Sequence, residues 1–186
     1  MAQLLLMLVV AQAPFTVRGT EDGVELADRP VGGSGFVELR FVATSTRPID
    51  TLCGEAFGVL PVAREPHLVS RVVLSEAPNE RVTWDVIAPP MVSRRDYVVR
   101  KVRVQTATSC EIGFEAVDDR LHRPEGDVVR LRSLRGFFRF EALTEGQVRV
   151  VHQVHMDPGG WLTPLVVEQT RQRMGLEWVK RLVAGR

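Results

Sequence analysis

The C-terminal segment from Val148 onward constrains the fold most. Val148, Val150, Val154 and Met156 alternate with polar or smaller partners, so one face of a strand is apolar apart from a single imidazole, His152. The turn Asp157-Pro158-Gly159-Gly160 then reverses the chain into one long helix. Thr163 suits its N-cap and Pro164 its first position, where a missing N–H costs nothing. Val167, Thr170, Met174, Trp178 and Leu182 recur at helical spacing and predict a buried stripe, with Arg171, Gln172, Glu177, Lys180 and Arg181 on the wet side. Each element has an apolar face that must be covered, which predicts a sheet of long antiparallel strands closed by one C-terminal helix.

The upstream chain supplies such strands. A hairpin is expected from Phe15–Arg18 and Val24–Ala27 around Glu21-Asp22-Gly23, with a third strand over Phe36–Ala43. Thr46-Arg47-Pro48-Ile49-Asp50 carries helix-start signals for a short helix to about Phe57. Further strands are expected over 68–74, 81–88, 96–105, 110–117 and 127–142. One helical insertion, a long meander and a terminal helix make a single α+β domain, and 186 residues suffice for a core with an internal cavity.

Charge excludes one function class. The 24 basic and 23 acidic residues leave a net charge of +1, whereas a nucleic-acid binder gathers a basic excess on one face. The basic run Arg130, Arg132, Arg135 and Arg139 is read as a solvated strand face. No CxxC pair or cluster of ligand residues suggests a metal, and His152 and His155, an odd number of residues apart on a strand, point to opposite faces.

The first residues differ from the rest. The apolar run Leu4–Val10 is too short to span a bilayer and ends in Ala11-Gln12-Ala13, a pattern that signal peptidase cuts. Residues 1–13 are therefore expected to be a signal peptide and 14–186 the mature domain, periplasmic or secreted; if the segment is retained, it is a buried N-terminal element and the protein is cytoplasmic. Cys53 and Cys110 form one disulfide if the protein is exported and are two buried thiols if it is not.

Two inward polar groups are the candidates for function. Val82, Trp84, Val86 and Ala88 form an apolar face opposite Thr83 and Asp85. On the next strand Arg100 shares a face with Val98, Val102 and Val104, and an interior arginine needs a partner unless it reaches water from an edge. His152 stands alone on its face, as a satisfied core residue or a functional one. Isolated polar groups on apolar faces are what a cavity for an amphipathic ligand would present.

Trp84-Asp85-Val86, followed by Pro89-Pro90-Met91-Val92-Ser93-Arg94-Arg95-Asp96-Tyr97-Val98, resembles the W-E-V…P-x-P-x-S-x-R-D-Y/F-V stretch of the START (StAR-related lipid transfer) domain family, most of all its phosphatidylcholine-transfer members. Asp22–Arg29 is similar to the D-G-I-x-V-Y-x-R opening of bacterial members, and Val117–Arg130 and Val148–Trp161 resemble the family's long loop and its final strand and turn. The resemblance implies a helix-grip fold, a curved antiparallel sheet wrapped round the C-terminal helix with a lipid-sized tunnel between. Trp84, Val86, Val98, Arg100, Phe114, Phe138, Phe140, His152, Val167 and Met174 are then expected to line the tunnel, with Lys101 competing with Arg100 for the cavity cation. The loop Asp118–Asp127, with Asp118, Leu121, Pro124 and Gly126, is expected to form a lid, and Asp157, Gly159 and Gly160 the turn into the helix.

The expected function is non-enzymatic. The chain would hold one amphipathic lipid, phospholipid or sterol-like, without cofactor, metal or nucleic acid, and act as a monomer in transient contact with a membrane surface. The alternative is a helix-grip cyclase or hydrolase that uses Asp85, His152 and Arg100 as acid, base and oxyanion stabiliser. No G-x-S-x-G or Cys/His pair supports it. A protein-binding module is the third class, with no residue pattern in its favour.

Overall fold

The structure, a computed structural model, describes residues 12–58, 65–122, 124 and 126–185; most of the expected signal peptide lies outside them. In order along the chain come β1 (Thr16–Glu21), β2 (Val24–Arg29), β3 (Glu38–Ser45), α1 (Ile49–Phe57), β4 (Leu68–Ala77), β5 (Glu80–Ile87) and β6 (Arg95–Gln105). Then follow β7 (Ser109–Ala116), β8 (Val129–Arg130), β9 (Ser133–Ala142), β10 (Val148–Asp157) and α2 (Pro164–Ala184). One sheet runs β1-β2-β3-β10-β9-β7-β6-β5-β4, every neighbouring pair antiparallel. The sheet folds round α2 in the helix-grip arrangement.

The strand expected over 127–142 is two strands. Val129 and Arg130 pair in parallel with β6, and the chain resumes at Ser133 between β7 and β10. The break lets Arg130 reach the buried Asp96 carboxylate with contacts of 2.7–3.1 Å.

The turn before α2 uses its glycines for their backbone. Gly159 and Gly160 both have positive φ, 66° and 71°, and a Cβ on Gly159 would stand 3.0 Å from the Arg130 carbonyl. Asp157 Oδ1 accepts from the Gly159 N–H at 2.9 Å. Thr163 takes the N-cap position without a side-chain capping bond.

Val167, Thr170, Val179 and Leu182 of α2 are buried against the sheet. Val179 meets Val24, Leu39 and Phe41, and Leu182 joins the cluster of Phe140, Val150 and Leu52. Gly175 does not break the helix. A Cβ there would lie 2.3–2.4 Å from the Phe41 ring, so the missing side chain is what lets α2 approach the sheet. Arg171, expected on the wet side, is buried: it pairs with Glu168 one turn back and donates to the Val37 carbonyl at 2.9 Å.

Cys53 of α1 and Cys110 of β7 are joined in a disulfide, both fully buried. Closing a 57-residue separation removes enough unfolded-state entropy to stabilise the fold by about 4 kcal/mol on the chain-entropy model. The bond holds α1 against the sheet beside α2.

Candidate functional site

Between α2, α1 and the inner face of the sheet lies a cavity of about 190 Å³. Its apolar wall contains Phe114, Leu134, Phe138, Met156, Met174 and Trp178. The aromatic rings stack round His152, whose imidazole lies 4.1 Å from the Phe138 ring centre at 8°, with Trp178 beyond Phe138 at 4.3 Å. A carbonyl can only accept, so the 3.3 Å contact between His152 Nδ1 and the Phe137 oxygen places the imidazole proton on Nδ1. Burial holds this histidine neutral by pushing its pKa down to about 3. Phe114 can lie flat against the sheet because position 136 is glycine; a Cβ there would come 2.6 Å from the ring.

The opposite end of the cavity is polar. Arg71 donates to both oxygens of Asp85, at 2.8 and 2.6 Å, and to both oxygens of Glu65. Burial opposes its charge, but the hydrogen bonds it donates to Asp85 and Glu65 and their charges outweigh it, and the guanidinium is held more firmly protonated than usual. Tyr97 stands on the adjoining strand, where burial and the Asp85 charge push its phenol pKa up. Lys101 completes the group: its Nζ donates to the Ala56 carbonyl of α1 at 3.2 Å, and burial, with the Arg71 charge, lowers its pKa to about 8.

Strand register decides which expected residues meet here. Asp85 pairs with Arg71 and Tyr97, and Lys101 with Phe114, so odd-numbered residues of β5 and β6 face α2. Trp84, Val86, Val98 and Arg100 have the other parity and lie on the outer face. Four expected lining residues, Phe114, Phe138, His152 and Met174, do line the cavity. Val167 lines an adjoining space of about 20 Å³, and Phe140 is buried in the core cluster with Phe138, Leu52 and Leu182.

Arg100 is thus not the cavity cation. It pairs on the outside with Glu80 at 2.5 Å and Glu115 at 3.7 Å, roughly two-fifths exposed. Lys101 holds the inward position. The trio Asp85, His152 and Arg100 is therefore not assembled: the first two share the cavity and the third does not. Sequence reading missed Arg71 and Glu65. The signal for Arg71 was the same as for Arg100, a lone arginine in a valine strand, and only pairing with β5 sets it against Asp85.

The loop expected to form a lid lies away from the cavity. No described residue of the Asp118–Asp127 loop lines the cavity; positions 123 and 125 lie outside the described residues. Asp119 caps the backbone N–H groups of Leu121 and His122, Arg130 binds the Asp119 and His122 carbonyls, and His122 packs on Trp84 at 5.2 Å. The loop is fastened to the outer face. The segment that abuts α2 is the β5–β6 connection: Pro89 and Val92 face Leu162 and Val167 across the small space, and Thr170 Oγ1 contacts the Pro90 carbonyl at 3.5 Å. Met91, Trp161 and Leu165 stand exposed in these same segments.

A family model for the START domain matches residues 65–185. No curated protein matches the chain. Among solved structures, the chain is similar to a STAR-related lipid transfer protein from Xanthomonas axonopodis, 21% identical over 92% of this chain and 97% of that one, with a TM-score of 0.81. Human StAR-related lipid transfer protein 5 is 18% identical over 94% of this chain and 87% of its own, with a TM-score of 0.79. Zhui aromatase/cyclase from Streptomyces sp. R1128 is 15% identical over 80% and 92%, with a TM-score of 0.60. At these identities the likeness is one of fold.

Proposed function

The chain belongs to the START domain family, and from that premise we propose that it carries one amphipathic lipid in the cavity and exchanges it with membranes outside the cytoplasm. The observation that carries this reading is the division of the cavity into an aromatic wall along α2 and a compact polar end. Burying a lipid chain is worth about 0.8 kcal/mol per CH₂, and the polar end orients the head group. Arg71 already serves two carboxylates, so a bare phosphate would meet Asp85 and Glu65 with little of the guanidinium left to bind it. A hydroxyl or other uncharged polar head suits the set better: Lys101 offers N–H groups, and Asp85 and Glu65 accept.

Pockets for drug-sized ligands measure roughly 300–1,000 Å³, more than the cavity of about 190 Å³. Loading therefore requires α2 and the β5–β6 connection to part. Among the described residues one hydrogen bond joins them, from Thr170 Oγ1 to the Pro90 carbonyl at 3.5 Å, and the exposed Met91, Trp161 and Leu165 give that end an apolar surface for a membrane. The A-x-A motif and the buried disulfide both suit export to an oxidising compartment.

The test is to purify the protein from its host, extract it with organic solvent and analyse the extract by mass spectrometry, then measure protection of fluorescent sterol and phospholipid. Bound lipid together with protection is expected, and Trp161→Asp should slow transfer between vesicles while leaving equilibrium binding unchanged. A lipid-free extract with no protection of either probe overturns the reading.

A further inference from the structure

Of the 24 lysine and arginine residues only two are lysines, Lys101 and Lys180. Lys180 lies on the outside of α2, ion-paired with Glu21 at 2.7 Å and Asp22 at 2.6 Å, and those hydrogen bonds raise its pKa. Lys101 is its opposite. What remains accessible of it opens into the cavity, and among the described residues its Nζ has one hydrogen bond, to a backbone carbonyl, and no ion pair. Arginine keeps its proton in proteins, whereas a buried lysine can give it up and become a nucleophile. In a chain that otherwise uses arginine almost throughout, a lysine stands at the one place where a neutral amine would face an enclosed apolar guest.

The surroundings match that chemistry. Phe114 is the direct cross-strand partner of Lys101, and its ring lies 5.5 Å from Phe138 and 5.9 Å from His152. The Asp85 and Glu65 carboxylates can take a proton and return it, and the protonated Tyr97 phenol can donate a hydrogen bond. We propose that the cavity holds part of its guests covalently, Lys101 forming a reversible imine with an aldehyde or unhindered ketone on an aromatic or conjugated apolar body. This rests on the reading of the cavity as the site of an amphipathic guest.

In the reaction, the Lys101 ammonium first passes a proton to the Asp85 and Glu65 carboxylates, and neutral Nζ attacks the carbonyl carbon. The C–N bond forms as the C=O π pair moves to oxygen, which takes the proton lost from nitrogen and gives a carbinolamine. The stored proton then departs with the hydroxyl as water while the nitrogen lone pair completes the C=N bond. Overall, ammonium and carbonyl give iminium and water, with no oxidant or reductant. The iminium keeps the positive charge that balanced Glu65, Arg71 and Asp85 before reaction. A pKa lowered to about 8 supports the first step by raising the share of free amine.

The experiment uses the whole protein with trans-cinnamaldehyde as the probe and sodium cyanoborohydride as the trap, read by intact mass and peptide mapping. The expected product is one adduct per chain, with the mass of the aldehyde less one water plus two hydrogens, on Lys101. Lys101 should be labelled at least about ten-fold faster than Lys180, since each unit of pKa is a factor of ten in free amine. Lys180→Arg should retain the adduct, and Lys101→Arg, checked for fold by circular dichroism, should lose it. Labelling confined to Lys180 or the N-terminal amine, or undiminished in Lys101→Arg, overturns the proposal. Mapping on the native chain decides the matter even where a variant misfolds. If lipid probes are still protected while Lys101 stays unlabelled, the imine falls and the carrier stands; if neither occurs, both fall.

Discussion

On the inner face of the sheet Asp85 of β5 meets Arg71 of β4 with side chains 1% and 5% exposed, whereas on the outer face Arg100 of β6 meets Glu80 of β5 with both about two-fifths exposed. The partners are of the same type and the contacts of similar length. Surroundings make the difference. A pair in water is screened and pays side-chain entropy, and its removal is hardly felt. Inside, each charge has given up its hydration, so removing one partner strands the other. The outer face shows an intermediate case: Asp96 is fully buried because Arg130 and the Trp84 indole cover it, with a 2.9 Å hydrogen bond from the indole N–H. Position relative to water, more than residue type, separates a structural charge from an ornamental one.

The sharpest break in this comparison is Asp85→Ala. It leaves Arg71 with Glu65 as its one carboxylate partner, and urea denaturation should show a loss of about 3–5 kcal/mol. A loss no larger than that of a typical surface substitution would mean that water reaches the cluster.

Next in size is a pH effect from the aromatic wall. The His152 pKa is lowered to about 3 in the fold and lies near 6.5 when unfolded. Between these values the unfolded chain binds a proton that the folded chain does not, so this residue makes stability fall as pH falls from 6.5 towards 3. His152→Phe keeps the stack and removes the titration. Across that window its stability should decline less than that of the parent, by on the order of 4 kcal/mol in total. Parallel pH profiles would show that the imidazole is hydrated.

The smallest expected effect is that of Arg100→Met. The side chain lies on the outer face in exposed pairs, so melting temperature and affinity for a fluorescent lipid should both stay within error of the parent. A ten-fold loss of affinity would return Arg100 to the cavity and refute the register on which the site is built.

Much of the fold was legible because it rests on local chemistry. Alternation over 148–156 and the Asp157–Gly160 reversal follow from backbone period and side-chain size, and the helical stripe holds at Val167, Thr170 and Leu182, with Arg171 the exception on the face expected to be wet. His152 was recognisable as the lone polar group on an apolar strand face, and the family resemblance, not local pattern, put Phe114 and Phe138 in the wall with Met174.

The β5 and β6 faces were another matter. Valines occupy both parities of β6, Val98 and Val102 on one side and Val99 on the other, so a period of two was visible but its phase was not. Packing against α2 chooses the phase, and with it places Asp85, Tyr97 and Lys101 inside and Trp84, Val98 and Arg100 outside. The same holds for groups far apart in the chain. Cys53 and Cys110 were compatible with a bond or with two thiols until α1 lay on β7, and Arg71 had no evident partner until β4 paired with β5. Local sequence carries period, turn and helix stripe, because these depend on neighbours within a few residues. Which face is wet, which cysteines meet and which cation enters the cavity depend on residues tens of positions away, and only the closed sheet brings those together.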